Sequence, residues 1–139
     1  MKDLRRSIDY LETRPEIDSR RIAFDGMSWG GTLGLLIPAV EERLKASVLI
    51  GGSIGGIGRP EIDEVNFIGR VKVPTLMLNG RYDTINRYET TIKPAFDLLG
   101  TPAADKKLVL YDTDHIPPVN DMIKETLAWL DKYLGPVKR

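Results

Sequence analysis

Three residues of this 139-residue chain could together make and break an acyl bond: Ser28, Asp83 and His115. Ser28 stands in Gly26-Met27-Ser28-Trp29-Gly30-Gly31. Gly-x-Ser-x-Gly between an apolar strand and a helix is the layout of a nucleophile elbow, a sharp turn that lifts a serine hydroxyl above a sheet. The same pattern also suits a glycine-rich turn with an incidental serine. What separates the two is a base and an acid, because a serine hydroxyl is a poor nucleophile at neutral pH and its base must itself be oriented. His115, the only histidine, would take the Ser28 proton and then give it to the leaving group. Asp83 would hold the imidazole tautomer and stabilise the imidazolium. A turn aspartate that bonds its own backbone is the plainer role for it, and Asp112 and Asp114 are rivals close to His115 in sequence. Asp83 is preferred because it follows a strand of its own and can approach the ring from the side. The order Ser, Asp, His is that of one hydrolase class and differs from the chymotrypsin and subtilisin orders. The backbone N–H of Trp29 is the expected oxyanion donor, with Gly26 and Gly30 beside it as candidates on the substrate side.

Positioning these residues falls to an alternation of short apolar runs and helical stretches. Leu4, Ile8 and Leu11 predict an amphipathic helix over Asp3 to Glu12, capped by Asp3 and followed by Pro15. Arg21 to Asp25 reads as the first strand. Thr32 to about Val40, apolar on nearly all sides, reads as a buried helix with Pro38 marking its last turn or a kink. Glu41 to Lys45 reads as solvated, and Ala46 to Ile50 as the second strand. Gly55, Gly56, Gly58 and Pro60 mark a loop that matches neither a dinucleotide fingerprint nor a P-loop. Val73 to Asn79 is the third strand, and Lys93 to Leu99 a helix with Gly100 at its C′ position. Lys106 to Tyr111 is the fourth strand. A last helix, capped by Asn120, is expected to share a face through Ile123, Leu127, Leu130 and Leu134 before Gly135-Pro136 stops it. Repeated βα units of this kind predict an α/β fold, a parallel sheet of about four strands flanked by helices. Functional groups gather at the carboxyl ends of such strands, which is where Ser28, Asp83 and His115 fall.

Composition narrows the chemistry. Lys+Arg and Asp+Glu both total 20, so nothing argues for nucleic acid or an anionic membrane as a partner. Cysteine is absent, which excludes disulfides, thiolate catalysis and cysteine metal sites. No apolar run approaches the ~20 residues needed to span a bilayer. The length suits one domain over residues 1–139, and a cytoplasmic location is the default expectation.

Taken together, these residues resemble the α/β-hydrolase superfamily, most closely its dienelactone-hydrolase and prolyl-oligopeptidase-type members. The likeness is carried by Asp3 to Leu11, Gly26 to Gly31, Leu78-Asn79-Gly80-Arg81-Tyr82-Asp83 and Tyr111 to Pro118. It implies Ser28 as nucleophile, Asp83 as acid and His115 as base. It also implies hydrolysis of small or short-acyl carboxylic esters through an acyl-enzyme, with no metal or organic cofactor. The family fold has about twice as many strands, and this sequence corresponds to its C-terminal half. The other half carries the second oxyanion donor. A catalytically weak module, or one that requires a partner chain, is therefore the alternative expectation. The first strand, internal in the family, would here be an apolar edge, so a homo-oligomer that covers it is expected.

Overall fold

The computed structural model describes residues 1–55 and 58–137, so Gly56 of the expected loop lies outside the described residues. Four parallel strands form one sheet in the order β1-β2-β3-β4: β1 (Ile22–Met27), β2 (Leu44–Ile50), β3 (Thr75–Gly80) and β4 (Lys106–Tyr111). The α/β architecture expected from the sequence is the one observed. Alternation along β2 and β3 sends side chains to opposite faces. Leu49 and Met77 pack with Leu35, Ile92 and Ala95 on one side. Val48, Ile50, Leu76 and Leu78 pack with Met122 and Trp129 on the other. The first of these faces is covered by α2 (Trp29–Leu33), α3 (Val65–Ile68) and α4 (Lys93–Leu98), the second by α5 (Val119–Leu134). The helix α1 (Lys2–Glu12) seats Ile8 against Leu36, Ile37 and Leu44. Each such aliphatic side chain taken fully out of water contributes roughly 1.5–3 kcal/mol before entropy is charged against it.

Several local expectations need correction. The helix after the elbow starts at Trp29, directly after Ser28, and ends at Leu33; only a 3₁₀ turn, Ile37–Ala39, follows. Pro38 lacks an N–H and restricts the residue before it, and bonds such as Leu36 N–H to the Leu33 carbonyl tighten the chain ahead of it. Asp3 does not cap α1. The cap position is Met1, whose carbonyl accepts from Arg5 N–H, and Asp3 sits in the first turn. Pro118, not Asn120, precedes the first turn of α5. The core-facing stripe of α5 is Met122 and Trp129, flanked by partly buried Tyr133 and by Leu130 of the expected face, whereas Ile123 and Leu127 are exposed. Gly100 does not adopt a left-handed C′ conformation; a Cβ there would overlap the Gly69 carbonyl oxygen, so close approach is what requires glycine.

Glu41 is also not solvated. It is buried and takes a two-pronged contact from Arg43, at 2.7 Å from Nε and 2.8 Å from Nη2. Arg43 reaches Asp9 and Glu12 of α1 as well, at 2.8 and 3.1 Å. The Arg43 hydrogen bond holds the Glu41 carboxyl down at about 2, against an ordinary value of 4.5. A depressed folded pKa contributes stability that is complete above about pH 4.5 and is lost as pH falls towards 2. Urea unfolding of wild type and Glu41→Gln should therefore show a wild-type advantage that is constant above pH 5 and shrinks steadily below pH 4.5. A pH-independent difference would contradict this.

Candidate functional site

β1 ends at Met27, and the next residue, Ser28, has φ 55° and ψ −112°. A positive φ at a residue with a Cβ costs on the order of 1–3 kcal/mol and persists only where the surroundings enforce it. Two contacts enforce it here. Ser28 N–H donates to the Ile50 carbonyl at the end of β2, 2.7 Å away. The Ser28 carbonyl accepts from Thr32 N–H at 3.0 Å as α2 begins. Gly26 makes the turn possible, because a Cβ there would overlap the Gly30 carbonyl. The chain thus reverses over β1 with the Ser28 side chain above the strand ends.

The sheet register aligns the other strand ends with this one. Met27 lies opposite Ile50, Ile50 opposite Leu78, and Gly80 opposite Tyr111. Asp83 follows β3 and His115 follows β4, so the two loops meet. His115 Nε2 is 2.8 Å from Ser28 Oγ, and His115 Nδ1 is 2.7 Å from Asp83 Oδ2. The Asp83 side chain is fully buried and the His115 side chain is partly buried, 16% exposed. The other Asp83 oxygen, Oδ1, accepts from the backbone N–H groups of Ile85 and Asn86, both at 2.8 Å. All three residues singled out in the sequence therefore come together. The two rival aspartates do not touch the ring. Asp112 pairs with Arg81 at 3.0 Å. Asp114 accepts from Thr84 N–H and Oγ1 and from His115 N–H, and the Thr84 N–H leads in holding its carboxyl below the usual range.

Trp29 is the first residue of α2, so its N–H has no acceptor a turn earlier within the helix. Its indole does not pack beneath the site: the residue is 55% exposed. Gly30 has open space around it. Supporting residues also emerge that the sequence reading missed. Asn86 Nδ2 donates to the Gly51 carbonyl at 2.9 Å, tying the Asp83 turn to the end of β2. Buried Asn79 does the same to Gly52 at 3.0 Å. The spacing Asp83-x-x-Asn86 is a turn signal that could have flagged Asn86. The Thr84–Asp114 contact spans 30 positions and leaves no local trace. Among the described residues no cluster of histidine and carboxylates is arranged to hold a metal, and no helix is long and apolar enough to cross a membrane.

The family described as BAAT / Acyl-CoA thioester hydrolase C terminal matches residues 4–109, a span that holds Ser28 and Asp83 and stops short of His115. Mouse acyl-coenzyme A thioesterase 1 is 26% identical over 107 residues, covering 77% of this chain and 24% of that protein. Cutinase 2 of Thermobifida cellulosilytica is 29% identical over 142 residues, covering 96% and 51%. A cold-adapted esterase from an Arctic intertidal metagenomic library superposes with a TM-score of 0.78 at 25% identity, covering 95% and 57%. The chain thus spans about a quarter to about half of the curated relatives it matches. Its fold is that of the α/β hydrolases, dienelactone hydrolase among them, and within that superfamily the chain belongs to the BAAT/acyl-CoA thioester hydrolase C-terminal family.

Proposed function

We propose that this chain hydrolyses carboxylic esters or thioesters through an acyl-enzyme on Ser28. The observation that carries this reading is the unbroken chain of short contacts Ser28 Oγ–His115 Nε2 and His115 Nδ1–Asp83 Oδ2 at the carboxyl ends of the strands. In the first step Ser28 Oγ attacks the substrate carbonyl carbon while its proton passes to His115 Nε2. Asp83 accepts from Nδ1–H throughout and stabilises the imidazolium. The developing oxyanion lies at the Trp29 N–H, one donor of the kind whose loss costs on the order of 3 kcal/mol. Collapse of the tetrahedral species breaks the bond to the alcohol or thiol, which leaves with the proton from Nε2. A water then repeats the sequence on the acyl-enzyme, and the acid departs with Ser28 restored.

Ester and thioester hydrolysis are both represented by name among the similar proteins, as an esterase and as acyl-CoA thioesterases. Amide cleavage is the poorer fit, because an amine leaving group asks more of the oxyanion donors. The test is hydrolysis of p-nitrophenyl butyrate and of the butyryl thioester of N-acetylcysteamine, against folded Ser28→Ala. Wild type no faster than Ser28→Ala on both would sink the reading.

The second reading is a module that needs a partner, and the free edge of β1 favours it. Among the described residues β1 pairs only with β2. The opposite edge of the sheet, β4, carries Lys106 and Lys107, the kind of charge that blunts an edge. β1 carries no lysine or proline, and Met27 beside the nucleophile is exposed. We take a second copy of this chain as the occupant of that edge. Sedimentation at high micromolar concentration should give a dimer or larger species; a stable monomer would count against it.

A further inference from the structure

We propose that the acyl part of the substrate lies in an apolar groove between α1 and α2 that begins at Trp29. This deepens the hydrolase reading and rests on it. The groove holds about 290 Å³, and its lining includes Met1, Leu4, Trp29, Leu33, Leu36 and Ile62. Trp29 and Leu33 stand one turn apart on α2, and Leu36 extends the stripe through the turns that follow the helix. That stripe starts on the residue bonded to Ser28. Met1, Leu36 and Ile62 also border a second groove of about 310 Å³ that continues to Val40 and Phe67, where Lys2 and Arg5 flank it.

Three features select an acyl chain as the occupant. The groove adjoining Trp29 is lined by apolar side chains alone, which suits methylenes and leaves nothing to satisfy a sugar or a charged group. Met1, Trp29 and Ile62 around it are each about half exposed. Large apolar side chains exposed together around a concavity mark a binding groove rather than ordinary surface. The third feature is direction. The leaving group must lie within reach of His115 Nε2, which donates its proton, and His115 arrives from β4 at one end of the sheet. The groove lies at the other end, between helices on the β1 side. With the carbonyl oxygen at the Trp29 N–H, the acyl chain extends away from His115 and into the groove. Trp29 then has two roles, a backbone donor to the oxyanion and an indole against the first methylenes.

The experiment has two arms. In the first, kcat/KM is measured for p-nitrophenyl acetate, butyrate and octanoate. Wild type should favour octanoate over acetate by at least about tenfold, and Ile62→Asp, an exposed position in a 3₁₀ turn, should lose about tenfold of that preference. In the second arm, octanoate is titrated into Ser28→Ala while tryptophan emission is followed. Exposed Trp29 should shift to the blue on binding, against a constant contribution from buried Trp129. An octanoate-to-acetate ratio unchanged in Ile62→Asp, or emission unmoved by octanoate, overturns the proposal. If no ester is hydrolysed, the hydrolase reading fails, and the emission arm still decides whether the groove takes an acyl chain.

Discussion

Replacing Ser28 by Ala is expected to lower kcat/KM for an activated ester by on the order of 10³–10⁵-fold, and replacing His115 by Ala by a similar factor. The double variant should be no worse than either single one. Ser28 Oγ and His115 Nε2 share one proton across 2.8 Å, so removing either partner removes the same step. Labelling by a fluorophosphonate probe, which needs an activated serine, should vanish in both. Asp83→Asn is the sharper variant, because it leaves size and burial nearly unchanged. Two backbone N–H groups, from Ile85 and Asn86, point at Asp83 Oδ1. An asparagine must offer its carbonyl oxygen there and turn its NH₂ towards His115 Nδ1. The ring then carries its proton on Nε2, aimed at Ser28 Oγ, and cannot accept the serine proton. Asp83→Asn should therefore lose on the order of 10³–10⁴-fold in kcat with little change in stability. Retention of wild-type kcat would show that His115 does not act through the Asp83 contact.

The sequence already contained the spacing that this arrangement needs, since each of the three residues follows its own strand. Strand runs such as Leu76 to Leu78 are apolar without a break and leave little choice of structure. What escaped was information that pattern cannot hold. On α5 two apolar stripes compete, one through Met122 and Trp129 and one through Ile123 and Leu127. Helical spacing identifies both equally well. Only the seating of Met122 and Trp129 on Val48, Ile50, Leu76 and Leu78 selects the first. Glu41 has the composition of a surface residue, and its burial depends on Arg43, whose other partners Asp9 and Glu12 lie more than 30 positions away. The end of α2 was hidden for a different reason. Leu35 and Leu36 are buried as an apolar helix would bury them, and it is Pro38 that converts their backbone to tighter turns.

Gly80 sits where three of these constraints meet, and Gly80→Ala should harm both stability and rate. It is the last residue of β3, and a Cβ on it would overlap the carbonyl oxygen of Asp114 and crowd that of Thr113. The loop that carries both oxygens is tied down on either side. Tyr82 N–H holds the Thr113 carbonyl at 3.0 Å, and Arg81 N–H holds the Tyr111 carbonyl at 2.7 Å. The Asp114 side chain is fixed by Thr84. Relief must come from moving the loop that carries His115 away from the turn that carries Asp83. Forcing an extra methyl into a packed site of this kind costs roughly 1–3 kcal/mol, which lowers Tm by about 3–10 °C for a domain of this size. The displacement falls on the two contacts that orient the imidazole, and a misplacement of about 1 Å can cost on the order of 10²-fold in rate. Gly69→Ala is the matched control. Gly69 has helical backbone angles and open space for a Cβ, so the change should be neutral or stabilise by about 0.4–1 kcal/mol through the unfolded chain. The expected pair of results is a Gly80→Ala protein that is folded by circular dichroism, melts earlier and turns over about 10²-fold more slowly, beside a Gly69→Ala protein equal to wild type in rate. A Gly80→Ala protein with wild-type Tm and kcat would mean that the loops after β3 and β4 are not locked together, and that the position of His115 is set by something other than the end of β3.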